Sequence, residues 1–391
     1  MNFPPVYLDH AATTPVRPEV LEAMLPLLGG ELFGNPSSGH RFGRDAHAAL
    51  EGARREVAAA LGVEPGSVVF TSGGTEANNL AIIGSALSAR DRGERMLVAV
   101  AATEHKAVLA AAHEVTHLGG AERVVPVTSH GLIDMGVLDR ILSERPAVLS
   151  VMLVNNETGV IQPVAAIARR AEAAGVAFHS DLVQAFGKVP FTLGDHPIGL
   201  ATISGHKIGA PKGIGALLVR DRSRLAPLIH GGSQQRGLRP GTENIAGAVG
   251  LGRAATLAAG HVAEESARLR RLLEELAAAL RAGIPDLVVV GGSEERAPHV
   301  LNVLVPGTDT ASLLMHLDLA GIAASGGSAC ATGAIEPSHV LLAMGIAPDL
   351  AHSAIRFSLG WETTSADIAR AASVVPATIN TLRHAAGSLH G

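Results

Sequence analysis

Lys207 closes the segment Ser204-Gly205-His206-Lys207, at the end of the apolar run Ala201–Ser204. An ε-amine placed there can shed its proton and attack a carbonyl, which an arginine cannot do. The contrast matters because only Lys106, Lys188, Lys207 and Lys212 are lysines among 31 basic residues. Each is a candidate for amine chemistry, with chance survival at the surface as the plain alternative for one or two. Cys330 is the one cysteine, in Ser325-Gly326-Gly327-Ser328-Ala329-Cys330-Ala331-Thr332-Gly333. A single thiol excludes an intrachain disulfide and a cysteine-rich metal site. Its glycine- and serine-rich surroundings read as a loop, where a thiol can ionise and attack; a structural cysteine would sit in an apolar element.

Three more polar clusters follow apolar runs. Thr71-Ser72-Gly73-Gly74-Thr75-Glu76-Ala77-Asn78 comes after Val68-Val69-Phe70. Its glycines permit a tight turn, and a helix starting there offers free N–H groups and the Thr75 hydroxyl to one phosphate. An ordinary glycine turn with a threonine cap accounts for the same residues. Asn155-Asn156-Glu157-Thr158-Gly159 suits hydrogen bonding to a ligand oxygen, and equally an Asx turn. Asp181 ends the run Val176–Ser180, with Gln184 three residues on. A buried carboxylate needs a cation. None lies close in sequence, so a protonated ring nitrogen of a ligand is one reading and a helix cap the other. An anion site, a carboxylate for a pyridinium nitrogen and an amine for a Schiff base are together what pyridoxal 5'-phosphate requires. Each alone is ambiguous; the set is not.

Such clusters need a scaffold that gathers strand ends. Met96–Ala101, Val148–Val154, Val176–His179, Ala201–Ser204 and Ala216–Val219 read as strands, and Arg44–Leu61 and Val164–Ala174 as helices. Apolar strands without polar alternation, separated by helices, predict an α/β fold: a mostly parallel sheet of the seven-stranded type sandwiched by helices. Ligands of such sheets bind beyond the carboxyl ends of the strands. After about Gly260 a charged helix, Val262–Ala282, leads to strands near Leu287–Val290 and Val300–Val305. We therefore expect a large cofactor-binding domain over 1–260, with residues 1–15 as an arm on a smaller α+β domain over 261–391. The 391-residue length fits two domains. A formal charge of −5 with interspersed signs argues against a nucleic-acid face. No run has the length of a membrane span, and Met1–Pro5 lacks a signal-peptide pattern. The expected setting is the cytoplasm, with no membrane and no metal.

The chain resembles the cysteine desulfurases of the NifS/IscS type, within the class V aminotransferases and the fold-type I pyridoxal-phosphate enzymes. Matching stretches run nearly end to end: Tyr7–Pro15, Gly34–Ser38, Thr71–Asn79, Thr103-Glu104-His105-Lys106, Asn155–Gly159, Ser204–Lys207, Arg239–Asn244, Gly327–Cys330 and Ile355–Gly360. The cysteine segment is similar to the branch with an extended loop. The resemblance implies roles for single residues. Lys207 would carry the cofactor and Cys330 would be the persulfide-forming nucleophile. His105 would stack on the pyridine ring and serve acid–base steps. Asp181 would hold the ring nitrogen, Gln184 the phenolic oxygen, and Asn156 would lie near cofactor and substrate. Gly74, Thr75, Ser204 and His206 would bind the phosphate, with Thr242 reaching it from the partner subunit of a homodimer. Arg356 would clamp the substrate carboxylate, assisted by Asn35; a surface salt bridge is the plain alternative for Arg356. Pro240 and Ser233-Gln234-Gln235 depart from the family pattern, which touches the intersubunit loop and not the chemistry.

The implied reaction converts L-cysteine to L-alanine, leaving sulfur as a Cys330 persulfide for an acceptor such as an iron–sulfur cluster scaffold. A selenocysteine lyase or a plain aminotransferase would use the same cofactor, and the loop thiol is what an aminotransferase does not need. An idle dimeric scaffold would not need Lys207, Asp181 and Cys330 intact.

Overall fold

The structure, a computed structural model, describes residues 4–30, 32–326 and 336–387. After a two-residue strand, β1 (Val6–Tyr7), the chain builds a seven-stranded sheet. Its strands are β2 (Val68–Thr71), β3 (Leu97–Ala101), β4 (Ala121–Val125), β5 (Val148–Ser150), β6 (Ala177–Asp181), β7 (Leu200–Ser204) and β8 (Gly215–Val219). They lie in the order β2-β8-β7-β6-β5-β3-β4, and only β8 runs antiparallel to its neighbours. Residues of β2, β3, β5, β7 and β8 are buried throughout, which is why their sequences lack alternation. Edge strand β4 carries half-exposed Glu122 and exposed Val124, so it gave no continuous apolar run to read.

Helices cover both faces. On one side α1 (Pro18–Leu28), α2 (Arg41–Leu61), α5 (Met135–Ser143), α6 (Val164–Ala173) and the start of α7 (Ile245–Gly283) enclose a core around Phe70, Leu149 and Phe178. On the other, α3 (Gly74–Asp91) and α4 (Lys106–His117) pack over Val69, Val98 and Leu217. Helix α7 starts well before the expected Val262. Gly247, Gly250 and Gly252 weaken the helical signal there, and two of them are packing devices. A Cβ on Gly250 would lie 2.7 Å from Met24 Sδ, and one on Gly252 3.0 Å from Ala53 Cα. The helix then leaves the first core after Ala258 and enters a second from Leu269 onward.

That second core holds an antiparallel sheet of β9 (Val288–Val289), β10 (Val300–Leu304) and β12 (Ala354–Ser358), in the order β12-β10-β9. Strand β11 (Ile322–Ala323) pairs with β1, and Val6 and Leu8 of the arm are buried here. The expected strand Val148–Val154 ends at Ser150: on the β3 side the Met152 N–H donates to Glu104 Oε1 at 2.5 Å, while Val151 and Leu153 still donate to the His179 and Asp181 carbonyls of β6. No helix among the described residues is long and apolar enough to cross a membrane.

Candidate active site

Strands β2, β3, β5, β6 and β7 end on one edge of the sheet, and a cavity of about 220 Å³ opens there. Gly74, Thr75, His105, Asn156, Asp181, Gln184, Ser204, His206 and Lys207 all line it. Asn78, Met152, Val154 and Val183 complete the wall.

Lys207 follows β7 in a single 3-10 turn, and its Nζ donates to the carbonyls of Ala11 and Ala12 at 2.5 and 2.6 Å. The arm after β1 thus forms a wall of the cavity. Burial, with the Arg356 charge behind it, pushes this amine down to about 8, against the pull of Asp9 and Asp181. An amine in that range loses its proton readily near neutral pH.

Asp181, the last residue of β6, is 5% exposed. Its Oδ2 accepts from Asn78 Nδ2 at 2.8 Å and its Oδ1 from the Val183 N–H at 2.9 Å. No lysine or arginine among the described residues pairs with it. Where a helix cap was one expectation, the carboxylate caps a turn after β6, and it lines the cavity with no described lysine or arginine paired to it. His105 caps α4 through Nδ1, which accepts the Ala107 N–H at 3.1 Å. A neutral ring bonded this way carries its proton on Nε2. Burial is the main cause that lowers the ring's basicity, so the neutral form prevails.

Helix α3 points its N-terminus at the cavity, with no side chain capping it. Its first N–H groups have no partner within the helix. Gly74 lets this end come close to its neighbours, since a Cβ there would sit 3.2 Å from Val183 Cγ2 and 3.5 Å from Ser204 Cβ. His206 closes the other side; its Nδ1 lies 3.1 Å from Thr13 Oγ1. Burial and the neighbouring lysines push its ring down to about 4. The result is a narrow cradle of neutral donors around a helix N-terminus, suited to one phosphate.

Arg356, on β12, is 4% exposed, so its ion pair is not a surface one. Nη2 meets Asp9 Oδ1 at 2.7 Å, Nη1 donates to the Asn156 carbonyl at 3.0 Å, and Nε is buried without a partner. Asn35 and Thr242 do not line the cavity: Asn35 Oδ1 accepts the Ser37 N–H at 2.9 Å, and Thr242 is exposed. Asn155 turns out to be the Asx turn, its Oδ1 accepting from Glu157 and Thr158 N–H at 2.9 Å each. Cys330 lies outside the described residues. Among the residues that depart from the family pattern, Gln235 sits at φ 46°, and the next residue, Arg236, at φ 60°. Gln235 Oε1 accepts from the Phe70 N–H and from Arg54 Nη1, both at 3.1 Å, which ties the loop of Thr242 to the strand before the phosphate cradle.

A polar network behind the cavity had no sequence signal. Glu104 is fully buried; Ser150 Oγ lies 2.9 Å from its Oε2 and 2.8 Å from His179 Nδ1, and His179 Nε2 lies 3.0 Å from Thr202 Oγ1. Desolvation pushes Glu104 up to about 8 and His179 down to about 3, so both are neutral near pH 7. Glu104 flanks His105 and so underlies the cavity floor. An acid whose folded value is raised above its unfolded one stabilises at low pH and loses that stability as pH rises through the folded value. Glu104 therefore costs stability as pH rises from roughly 4.5 to about 8. Glu104→Gln is expected to flatten that slope: melting temperatures from pH 5 to 8 should fall less than in the native chain. An unchanged slope would place the titration elsewhere.

A carboxyl-edge cavity holding a lysine, an uncompensated carboxylate and a helix N-terminus defines an α/β enzyme of the fold-type I class. Comparison with known proteins narrows this. Residues 6–371 match the aminotransferase class-V family, and the chain belongs to it. A cysteine desulfurase of Gluconacetobacter diazotrophicus is 46% identical over 380 residues, covering 97% of this chain and 94% of its own. A solved structure titled NifS-like protein superposes with a TM-score of 0.89 at 34% identity, over 96% of this chain and 100% of that one. Another, titled SspA in complex with cysteine, gives 0.76 at 33% identity over 90% and 98%.

Proposed function

We propose that this chain is a pyridoxal-phosphate-dependent cysteine desulfurase that converts L-cysteine to L-alanine, with the sulfur passing through a Cys330 persulfide to an acceptor such as an iron–sulfur cluster scaffold. The observation that carries the cofactor reading is Asp181, a buried carboxylate with no lysine or arginine paired to it among the described residues, sharing one cavity with the amine of Lys207. A pyridinium nitrogen supplies the missing cation. The unpaired N–H groups of α3 with Thr75, Ser204 and His206 suit the phosphate, and the buried, partnerless Oδ1 of Asn78 marks a further polar atom awaiting a ligand.

Bound pyridoxal phosphate supplies an electron sink for a carbanion at the substrate Cα. The chain's own residues do the rest. Asp181 keeps a proton on the ring nitrogen. Lys207 Nζ, poised near neutrality, takes the Cα proton. His105 offers an Nε2–H donor. Arg356, held by Asp9 and by the carbonyl of cavity-lining Asn156, keeps a fixed positive charge beside the cavity that suits a substrate carboxylate. The Cys330 thiolate attacks the substrate sulfur: the Cβ–S bond breaks, an S–S bond forms, and the carbon fragment gains a proton at Cβ, regains one at Cα and leaves as alanine. Sulfur is oxidised to the sulfane level and Cβ is reduced, so no external oxidant is needed. Incubating the holoenzyme with L-cysteine should give alanine and persulfide in equal amounts. Pyruvate and ammonia as the main products would overturn the reading, because they mark simple elimination.

We infer a homodimer from the outer face of α1 and the start of α2. Leu21, Leu25, Leu28, Phe33 and Phe42 are each at least half exposed, and the two phenylalanine rings meet in a tilted pair with centroids 5.3 Å apart. A patch of that kind needs a partner, and exposed Thr242 would then reach a phosphate in trans. Leu25→Glu is expected to sediment as a monomer with more than tenfold lower turnover. A fully active monomer would sink the inference.

A further inference from the structure

Lys188 is buried where a lysine has no ordinary reason to be. It is 8% exposed, lies in the turn after β6, and no carboxylate among the described residues pairs with it. The charged and titratable groups facing it are mostly basic: Lys207, Arg356, His10, His206 and His299. Its one recorded hydrogen bond goes from Nζ to Gln184 Oε1 at 3.0 Å. His299, fully buried on the approach to β10, brings Nε2 to the same oxygen at 3.3 Å. On the opposite side, Gln184 Nε2 donates to the Ala11 carbonyl at 2.8 Å, the carbonyl that also receives Lys207 Nζ.

These contacts settle an orientation that an amide alone leaves open. Turned over, the Gln184 NH₂ would face the Nζ donor and its oxygen would face a carbonyl oxygen. Both contacts would repel. Lys188 donates to Oε1 whether or not it carries its extra proton, and desolvation pulls it well below its ordinary value. The amide NH₂ has two hydrogens. One goes to Ala11, and the other is left for the cavity that Gln184 lines, beside the amine of Lys207.

We propose that Lys188 is a positioning residue that locks the Gln184 amide with its NH₂ toward the cofactor cavity, so that an N–H is always presented to the anionic ring oxygen next to the Lys207 attachment point. This rests on the cofactor reading above. It also explains a buried amine among positive neighbours: the burden is offset only when an anionic cofactor arrives. A lysine that merely filled space would be replaced by methionine at no cost to the cofactor.

The test uses the full-length protein stripped of cofactor and titrated with pyridoxal phosphate. Binding by the native chain tests the cofactor reading; only the differences between variants test Lys188. Lys188→Met is expected to bind about tenfold more weakly, as for loss of one hydrogen bond to a charged oxygen. Its cofactor-free form should melt no lower than the native chain. The pH at which the visible band of the bound cofactor changes should shift in the same direction as in Gln184→Ala. Adding Lys188→Met to Gln184→Ala should change affinity less than twofold. Unaltered affinity in Lys188→Met, an unmoved pH midpoint, or a second full tenfold loss in the double variant would each overturn the proposal. Gln184→Glu covers the case in which Lys188→Met does not fold. It gives Lys188 the same acceptor but the cavity no N–H, so it should lose at least tenfold, and native affinity there would also overturn the assignment.

Discussion

Lys207→Ala is expected to leave a folded protein that forms no visible cofactor band and no detectable alanine from cysteine. Among the four lysines, Lys207 alone combines cavity access with a basicity lowered to about 8. At pH 7 that leaves roughly a tenth of the amine unprotonated, against about three parts in ten thousand for an unperturbed lysine, a gain of roughly 300-fold in nucleophile. Lys212 stands five residues on in a glycine–proline turn, does not line the cavity and offers no such advantage. Lys188 lies close but gives its nitrogen to Gln184. Absorbance of reconstituted Lys207→Ala and Lys212→Ala, read side by side, decides the matter. A band retained in the first and lost in the second would move the attachment point.

Much of this arrangement is legible in the amino-acid sequence. Continuous apolar runs mark strands buried on both faces, and polar residues closing such runs mark the ligand edge of a parallel sheet. Lys207 and Asp181 were found that way, and they do share one cavity. What escaped follows from two physical facts. Edge strand β4 and the first half of α7 carry local signals that packing overrides: exposed and half-exposed positions in one, glycines demanded by close helix contacts in the other. Buried partners far apart in sequence leave no periodic trace at all. Glu104 and Ser150 meet across 46 residues, and Arg356 meets Asp9 across 347. The spacing of Asn155 and Asn156 likewise could not say which one turns the chain and which one faces the cavity.

Arg356 also ties one root of the cysteine segment to the cavity. Its backbone pairs with Ser325, N–H to carbonyl in both directions at 3.1 and 2.6 Å. On the far side of the cysteine segment, Ser338 Oγ donates to Glu157 Oε2 and His339 Nε2 lies 3.0 Å from the Glu104 carbonyl. Both roots of that segment are therefore bonded to residues beside the cavity. Cys330 is five residues from Ser325, a reach of about 17 Å at full extension. Cys330→Ser should accordingly bind cofactor as the native chain does, because no described cofactor contact depends on it. Addition of cysteine should still perturb the visible band. Alanine and persulfide formation should nevertheless fall by at least a thousandfold. A thiol with a pKa near roughly 8.5 is a few per cent thiolate at neutral pH, whereas a serine hydroxyl is essentially un-ionised and cannot accept sulfane sulfur. Being the single cysteine, Cys330 makes the comparison clean, since no second thiol can take over. Mass spectrometry of the native chain after cysteine treatment should show one added sulfur on the Cys330 peptide. Native rates of alanine formation in Cys330→Ser would mean that the sulfur passes to an acceptor other than Cys330, and the persulfide role proposed for this residue would fall.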